Sequence, residues 1–271
     1  VFARSGTLTI QDLSTCDHFD LNSTSGGTGA HNGASAGSDL FLMSGVNTQF
    51  DISANCTSNP SIRDDSAISL PPGQSYTSGT GAGPVLTKLG SGTLILTSAS
   101  AFGGPTTMNA GVLEVDTQIG DVVLNGGVFQ GVGVVGIITL NSGAVLRPAG
   151  SEGTLTGRSL MTWNGGGEVQ VQLGSIAGQS ASNLVVLNGA LAKGTSGSFM
   201  IGIGQAYATP IIGHSYTLID AASTNFTSGD FSVAPLAPLQ TLNGNLSVSG
   251  GLVQFTVTGF TTDRLFADGY E

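Results

Sequence analysis

The sequence predicts an all-β chain wound as a β-solenoid behind an irregular N-terminal β cap, and three observations carry that class. The stretch Lys88 to Val115, KLGSGTLILTSASAFGGPTTMNAGVLEV, reads as one complete coil. Its strands, Gly92 to Thr97 and Gly111 to Val115, each open with glycine and alternate small or polar residues with Leu, Ile or Val. Further short strands of the same grammar follow, and a coil of this kind buries its apolar row only against neighbours above and below. Composition agrees: Gly is 43 of 271 residues and charged residues are 9%, against about 7% and about 25% in ordinary domains. Long helices rich in Glu, Lys and Arg are thus not expected, and one elongated body suits the length better than two compact domains.

Taken in order, residues 1–84 form the cap region. GTLTI (Gly6 to Ile10), HFDLN (His18 to Asn22), SDLFLMSG (Ser38 to Gly45) and TQFDIS (Thr48 to Ser53) read as strands, separated by the long polar loops Ser23 to Ser38 and Asn59 to Pro84. The region either covers an apolar end of the solenoid or accepts a strand from another molecule. In the latter case Gly6, Thr7, Leu8, Thr9 and Ile10 are the assembly residues. Cys16 and Cys56 also lie here. In an exported chain they read as a disulfide, closing a loop worth about 3 to 4 kcal/mol; two free buried thiols are the alternative. Together with His18, His31 and His214 they make no zinc set.

Residues 85–259 form the solenoid. If Leu94 and Leu96 face the interior, Leu113 and Val115 stack on them one rung later. Between them Gly103, Gly104 and Pro105 force a turn, and Phe102 caps the interior where the chain reverses. DVVLNGG (from Asp121), GIITLNSG (from Gly136), GAVLRPAG (from Gly143), GTLTG (from Gly153) and GGEVQVQLG (from Gly166) continue the pattern. The opening glycines Gly92, Gly111, Gly127, Gly143, Gly153 and Gly167 are unevenly spaced, so the solenoid is irregular. Residues 260–271 depart from this grammar and form a C-terminal tail.

The Lys88 to Val115 segment resembles the autotransporter-associated β-strand repeat, also called the passenger-associated transport repeat, of exported Gram-negative surface proteins. GGVFQGVGVVG, NSGAVLRPAGSEGTLT, SNLVVLNGALAKGTSGSFMIGI and HSYTLIDAASTNFTSGDF resemble the later parts of such passengers, over roughly residues 85 to 235. The resemblance implies a right-handed parallel β-helix serving as stalk, adhesin or scaffold, located outside the cell or on its surface, with the repeat tied to export rather than catalysis. The membrane β-barrel that normally follows is not recognised here. VFARSGTLTI lacks an initiator Met, which reads as a processed terminus. The tail TTDRLFADGYE resembles short C-termini of some exported gammaproteobacterial proteins; a fraying end is the alternative.

Charge restricts the partners. The formal net charge is -10, from 17 acidic and seven basic residues, and without clustered Lys and Arg nucleic acid is not a partner. No run approaches the roughly 18 apolar residues of a membrane span. No cofactor is expected. Calcium is the one ion whose oxygen ligands are supplied, at Asp17 and Asp20 or Asp64 and Asp65, although solvated carboxylates are the favoured reading and no calcium-loop motif is present.

Enzymatic readings rank last. GASAG (Gly33 to Gly37) matches a nucleophile-elbow string with His31 and Asp39 nearby, but neither strand nor helix is readable around Ser35. A polysaccharide-degrading β-helix needs convergent carboxylates, whereas Glu114, Glu152 and Glu168 are isolated and Arg147 and Arg158 lack acidic partners in sequence. Trp163 reads as a coil corner or core residue before a carbohydrate platform, and Tyr216 as structural. The function expected is therefore non-enzymatic: a homopolymer stacked head to tail, or a monomeric adhesin binding a glycan or host surface through the polar loops.

Overall fold

The structure, a computed structural model, describes residues 1–12, 39–54, 56–69, 81–149, 153–174, 183–205, 209–236 and 240–262. Among them there is no α-helix; strands dominate, and two single 3-10 turns occur at Ala67–Ser69 and Ser228–Asp230. The chain divides into two compact units, Val1–Thr139 and Leu140–Glu271.

Unit 1 holds β1 (Phe2–Ala3), β2 (Gly6–Asp12), β3 (Leu40–Leu42), β4 (Val46–Ile52), β5 (Thr57–Ser58), β6 (Ile62–Asp64), β7 (Val85–Leu89), β8 (Thr93–Leu96) and β9 (Ala101–Phe102). It continues with β10 (Thr106–Met108), β11 (Val112–Val115), β12 (Gln118–Ile119), β13 (Val122–Leu124), β14 (Gly127–Gly131) and β15 (Val134–Val135); β16 (Ile138–Leu140) reaches the boundary. These strands stack in parallel into three columns. The first is β2–β4–β7–β10–β13, the second β1–β3–β6–β9–β12–β15, and the third β5–β8–β11–β14. The chain passes from column to column and returns one rung higher, which is the solenoid the sequence predicts.

The predicted stacking is present. Leu94 lies beside Leu113 and Leu96 beside Val115, and all four are sealed from solvent. Alternation explains this: in β8 and β11 the second and fourth residues point inward and the intervening Thr93, Ile95, Val112 and Glu114 outward. The SASAFGGPTTMNA segment is not merely a turn. It contains β9 and β10, each too short to show alternation, and Phe102 is wholly buried in the interior. From Asn109 to Ile137 the rung repeats every 16 residues, as the cross-rung hydrogen bonds of Asn125, Gln130, Val132 and Ile137 show.

Unit 2 holds β17 (Ala144–Pro148), β18 (Gly153–Gly157), β19 (Met161–Trp163), β20 (Glu168–Leu173), β21 (Asn183–Lys193), β22 (Phe199–Gln205), β23 (Ser215–Thr224), β24 (Phe231–Pro235), β25 (Gln240–Ser249) and β26 (Leu252–Thr262). β17–β20–β22–β24 form one parallel column. β21 pairs in parallel with β18, β19 and β23. The parallel winding then stops: β26 runs antiparallel to β23 and closes a hairpin with β25. Gly250 and Gly251 sit at the tip of that hairpin, Gly250 with φ +63.

Candidate functional site

The expected assembly residues lie on one strand at an end of unit 1. Gly6, Thr7, Leu8, Thr9 and Ile10 belong to β2, which pairs with β4 over seven residues without a register shift. Gly6, Thr7, Thr9 and Gln11 are exposed. Leu8 and Ile10 occupy the inward positions beside Thr48 and Phe50, yet they are only half-buried, whereas Thr48 and Phe50 are sealed. The last apolar rung is thus partly uncovered. Phe2, 61% exposed, stacks on Phe41 at 5.7 Å beside it.

Two rungs in, the repeat buries a charge. Lys88 stands at an inward position between Phe50 and Met108 and has no solvent exposure. Its Nζ donates to the carbonyls of Leu89 at 2.6 Å, Gly90 at 2.9 Å and Ala110 at 3.3 Å, so one ammonium ties two successive coils at a corner. Burial lowers its pKa to about 8, opposed by the negative charge of Asp51.

Asp64 is the acidic counterpart, inward beside Leu42 and 3% exposed. Its carboxylate accepts from Ser66 N at 3.1 Å, Ser66 Oγ at 2.7 Å and Gly103 N at 2.7 Å. Burial raises its pKa above the usual carboxylate value; those donors act against the shift and Asp65 adds to it. Asp65 accepts from the main-chain N and the Oγ of Ser44. Both carboxylates considered for calcium are therefore engaged by neutral donors, and among the described residues no group of three or more His, Cys, Asp or Glu side chains is placed to hold a metal ion. Asp17 and Asp20 lie outside the described residues.

The residues considered for catalysis are woven into polar ladders on the outer faces. In unit 1 Glu114 accepts from Gln130 at 2.7 Å. In unit 2 Arg147 donates to Gln170, which donates to Glu168 at 2.9 Å. Sequence spacing did not reveal that Arg147 and Glu168 share Gln170, because the link depends on the register of β17 against β20. Asp39 accepts from Ser61 N at 2.6 Å. Ser35, His31 and Glu152 lie outside the described residues, as do the Ser23 to Ser38 loop and the last nine residues.

Trp163 is a core residue: it is wholly buried, donates from Nε1 to Gly167 O at 3.0 Å, and packs on Phe199, Phe226 and Phe231. The Tyr216 hydroxyl accepts from Ile211 N and donates to Gly174 O, both at 2.8 Å, which is the structural role expected of it. Cys56 is buried and accepts a hydrogen bond from Ser53 Oγ at 3.2 Å; Cys16 lies outside the described residues. No helix among the described residues is long and apolar enough to cross a membrane.

Sequence reasoning missed Lys88 and Asp64 as interior residues. The available signal for Lys88 was its parity: it lies two residues from Leu86 on an alternating strand.

No curated protein matches the sequence significantly. The family model of the passenger-associated transport repeat matches residues 86–115, the span that begins at Leu86, contains Lys88 and the sealed Leu94, Leu96, Phe102 and Leu113, and ends at Val115. That coil is a passenger-associated transport repeat, and the chain built around it is autotransporter passenger-like.

Proposed function

We propose that the chain is a non-enzymatic structural protein of the exported passenger type, acting at the Gram-negative cell surface or outside the cell, and that it works by associating with further copies through Gly6–Ile10. The transport repeat supports the location. The single observation that carries the self-association is the partly uncovered apolar rung of Leu8 and Ile10 on a strand whose hydrogen-bonding partner, among the described residues, is β4 on one side only. Such an edge pairs readily with another chain. It builds a filament if the contact is head to tail, or a closed pair if it is symmetric.

Deleting residues 1–13 tests this: assembly is lost in light scattering while circular dichroism still reports a β-rich fold. Unchanged assembly after the deletion overturns the reading. A chain monomeric at every concentration returns the function to a surface adhesin working through its polar loops, and glycan arrays then become the assay. The same reading of an exported chain keeps the Cys16–Cys56 pair as a proposal. A chain that takes up no alkylating label before reduction and two labels after it supports the bond.

A further inference from the structure

We propose that two copies of this chain join through β2, antiparallel, about a two-fold axis passing between their Thr9 residues. This rests on the reading of Gly6–Ile10 as an assembly edge and specifies its partner and geometry.

From Gly6 to Gln11 β2 carries none of the devices that blunt an edge strand, and its single charge, Asp12, stands at the last position. It has no proline, no lysine and no bulge, and its inward residues Leu8 and Ile10 are apolar. By contrast β24, the last strand of its own column in unit 2, ends in Pro235. The β2 sequence is also complementary to itself. Centring an antiparallel pair on Thr9 sets Gly6 opposite Asp12, Thr7 opposite Gln11, and Leu8 opposite Ile10, so all seven residues of the strand find a partner.

Every such partner has the same parity, which sets Leu8 against Ile10 on the inner face, with Gly6 and Asp12 meeting at the two ends of that register, and keeps Thr7, Thr9 and Gln11 together on the outer face. A slip of one residue would set the apolar face of one copy against the polar face of the other. Charge favours the same direction. Exposed Arg4 precedes the strand at one end, and at the other end Gln11 Nε2 donates to Asp51 at 3.4 Å beside the Asp12 position. Antiparallel pairing brings the basic end of each copy to the acidic end of the other. The contact is isologous and closes on itself, so it yields a dimer rather than a fibre.

The test uses the full chain, with single cysteines introduced at Thr9 or Thr7. In the proposed pair Thr9 faces its own copy at the Cα separation of directly opposed residues, about 4.5 to 5.5 Å, which a disulfide spans. Thr7 faces Gln11. Sedimentation of the unaltered chain should give a dimer. Mild oxidation should then link Thr9→Cys into covalent dimers at roughly ten times the yield of Thr7→Cys, since only the former meets disulfide geometry. If the unaltered chain self-associates but Thr7→Cys links as well as Thr9→Cys, the two-fold pairing is overturned and the assembly edge stands. If the unaltered chain sediments as a monomer at tens of micromolar, both fall.

Discussion

Lys88 lies directly beside Phe50 inside unit 1, one rung apart in the same inward register, so a cation and an aromatic ring occupy equivalent places in successive coils. The ammonium is tolerated because three main-chain oxygens receive it, but burial still lowers its pKa from 10.5 to about 8. For a lysine whose folded value is depressed, the folded chain binds the proton less tightly than the unfolded one. Stability is therefore reduced below about pH 8 and rises as pH climbs from about 8 to about 10.5. Urea midpoints measured across that window should rise for the native chain and lose that rise in Lys88→Met.

Asp64 gives the mirror-image behaviour. Its pKa is raised, first by burial, so the folded chain holds the proton more tightly than the unfolded one. The associated stability is fully present below the ordinary value of 3.8 and is lost as pH rises through the elevated one. Asp64→Asn should flatten this fall in unfolding free energy as pH rises above 3.8 through the elevated value. At neutral pH the variant meets a second effect, since an amide nitrogen turned toward Gly103 N would set donor against donor and cost about 1 to 3 kcal/mol. The slope with pH, rather than the absolute stability, is the measurement that isolates the carboxylate. Lys88 and Asp64 together leave unit 1 least favoured between their two titrations.

The pairing of Leu94 with Leu113 and Leu96 with Val115 was legible in the sequence because each strand spans two full alternations, enough for period 2 to show. Strands β17, β18 and β20 were legible for the same reason, and the three-residue β13 and β16 because an apolar run closed by Asn and Gly marks each of them. Ala101–Phe102 and Thr106–Met108 were not, since two or three residues carry no period; their place as strands comes from stacking against neighbouring rungs. The 16-residue rung was hidden because loops of different length separate the earlier coils. The antiparallel close of β25 and β26 was missed because an alternating strand has the same pattern whichever way its neighbour runs. At the assembly edge the residues were readable, but their half-burial was not, since it depends on β2 having a strand on one side only among the described residues.

Thr48 Oγ1 and Thr106 Oγ1 are buried without a hydrogen-bond partner. Thr106 is sealed between Leu86 and Val122 in the first column, so its hydroxyl loses water and gains nothing in return. Thr106→Val exchanges that hydroxyl for a methyl of similar size and should stabilise the chain by about 1 kcal/mol. Thr107→Val, on the outward position next to it, should change stability by less than about 0.5 kcal/mol. Equal effects at the two positions in chemical denaturation would mean that the interior hydroxyl is not the cause.

Gly111 opens β11 with φ +73, and a Cβ there would stand 2.4 Å from Gly92 O, 2.6 Å from Gly90 O and 2.8 Å from Lys88 Nζ. Two separate penalties meet at one residue. The left-handed backbone costs an L-residue about 1 to 2 kcal/mol, and the clash with main-chain oxygens of the coil below adds about 1 to 3 kcal/mol. Gly45 separates the two: its φ is +91, but a Cβ there meets nothing within 4 Å. Gly45→Ala should therefore lose only the backbone part, and Gly111→Ala about 2 to 5 kcal/mol in total. Matched losses in the two variants would show that rung spacing at the Lys88 corner yields easily. A much larger loss at Gly111 would show that glycine at this position sets how closely successive coils of the repeat approach.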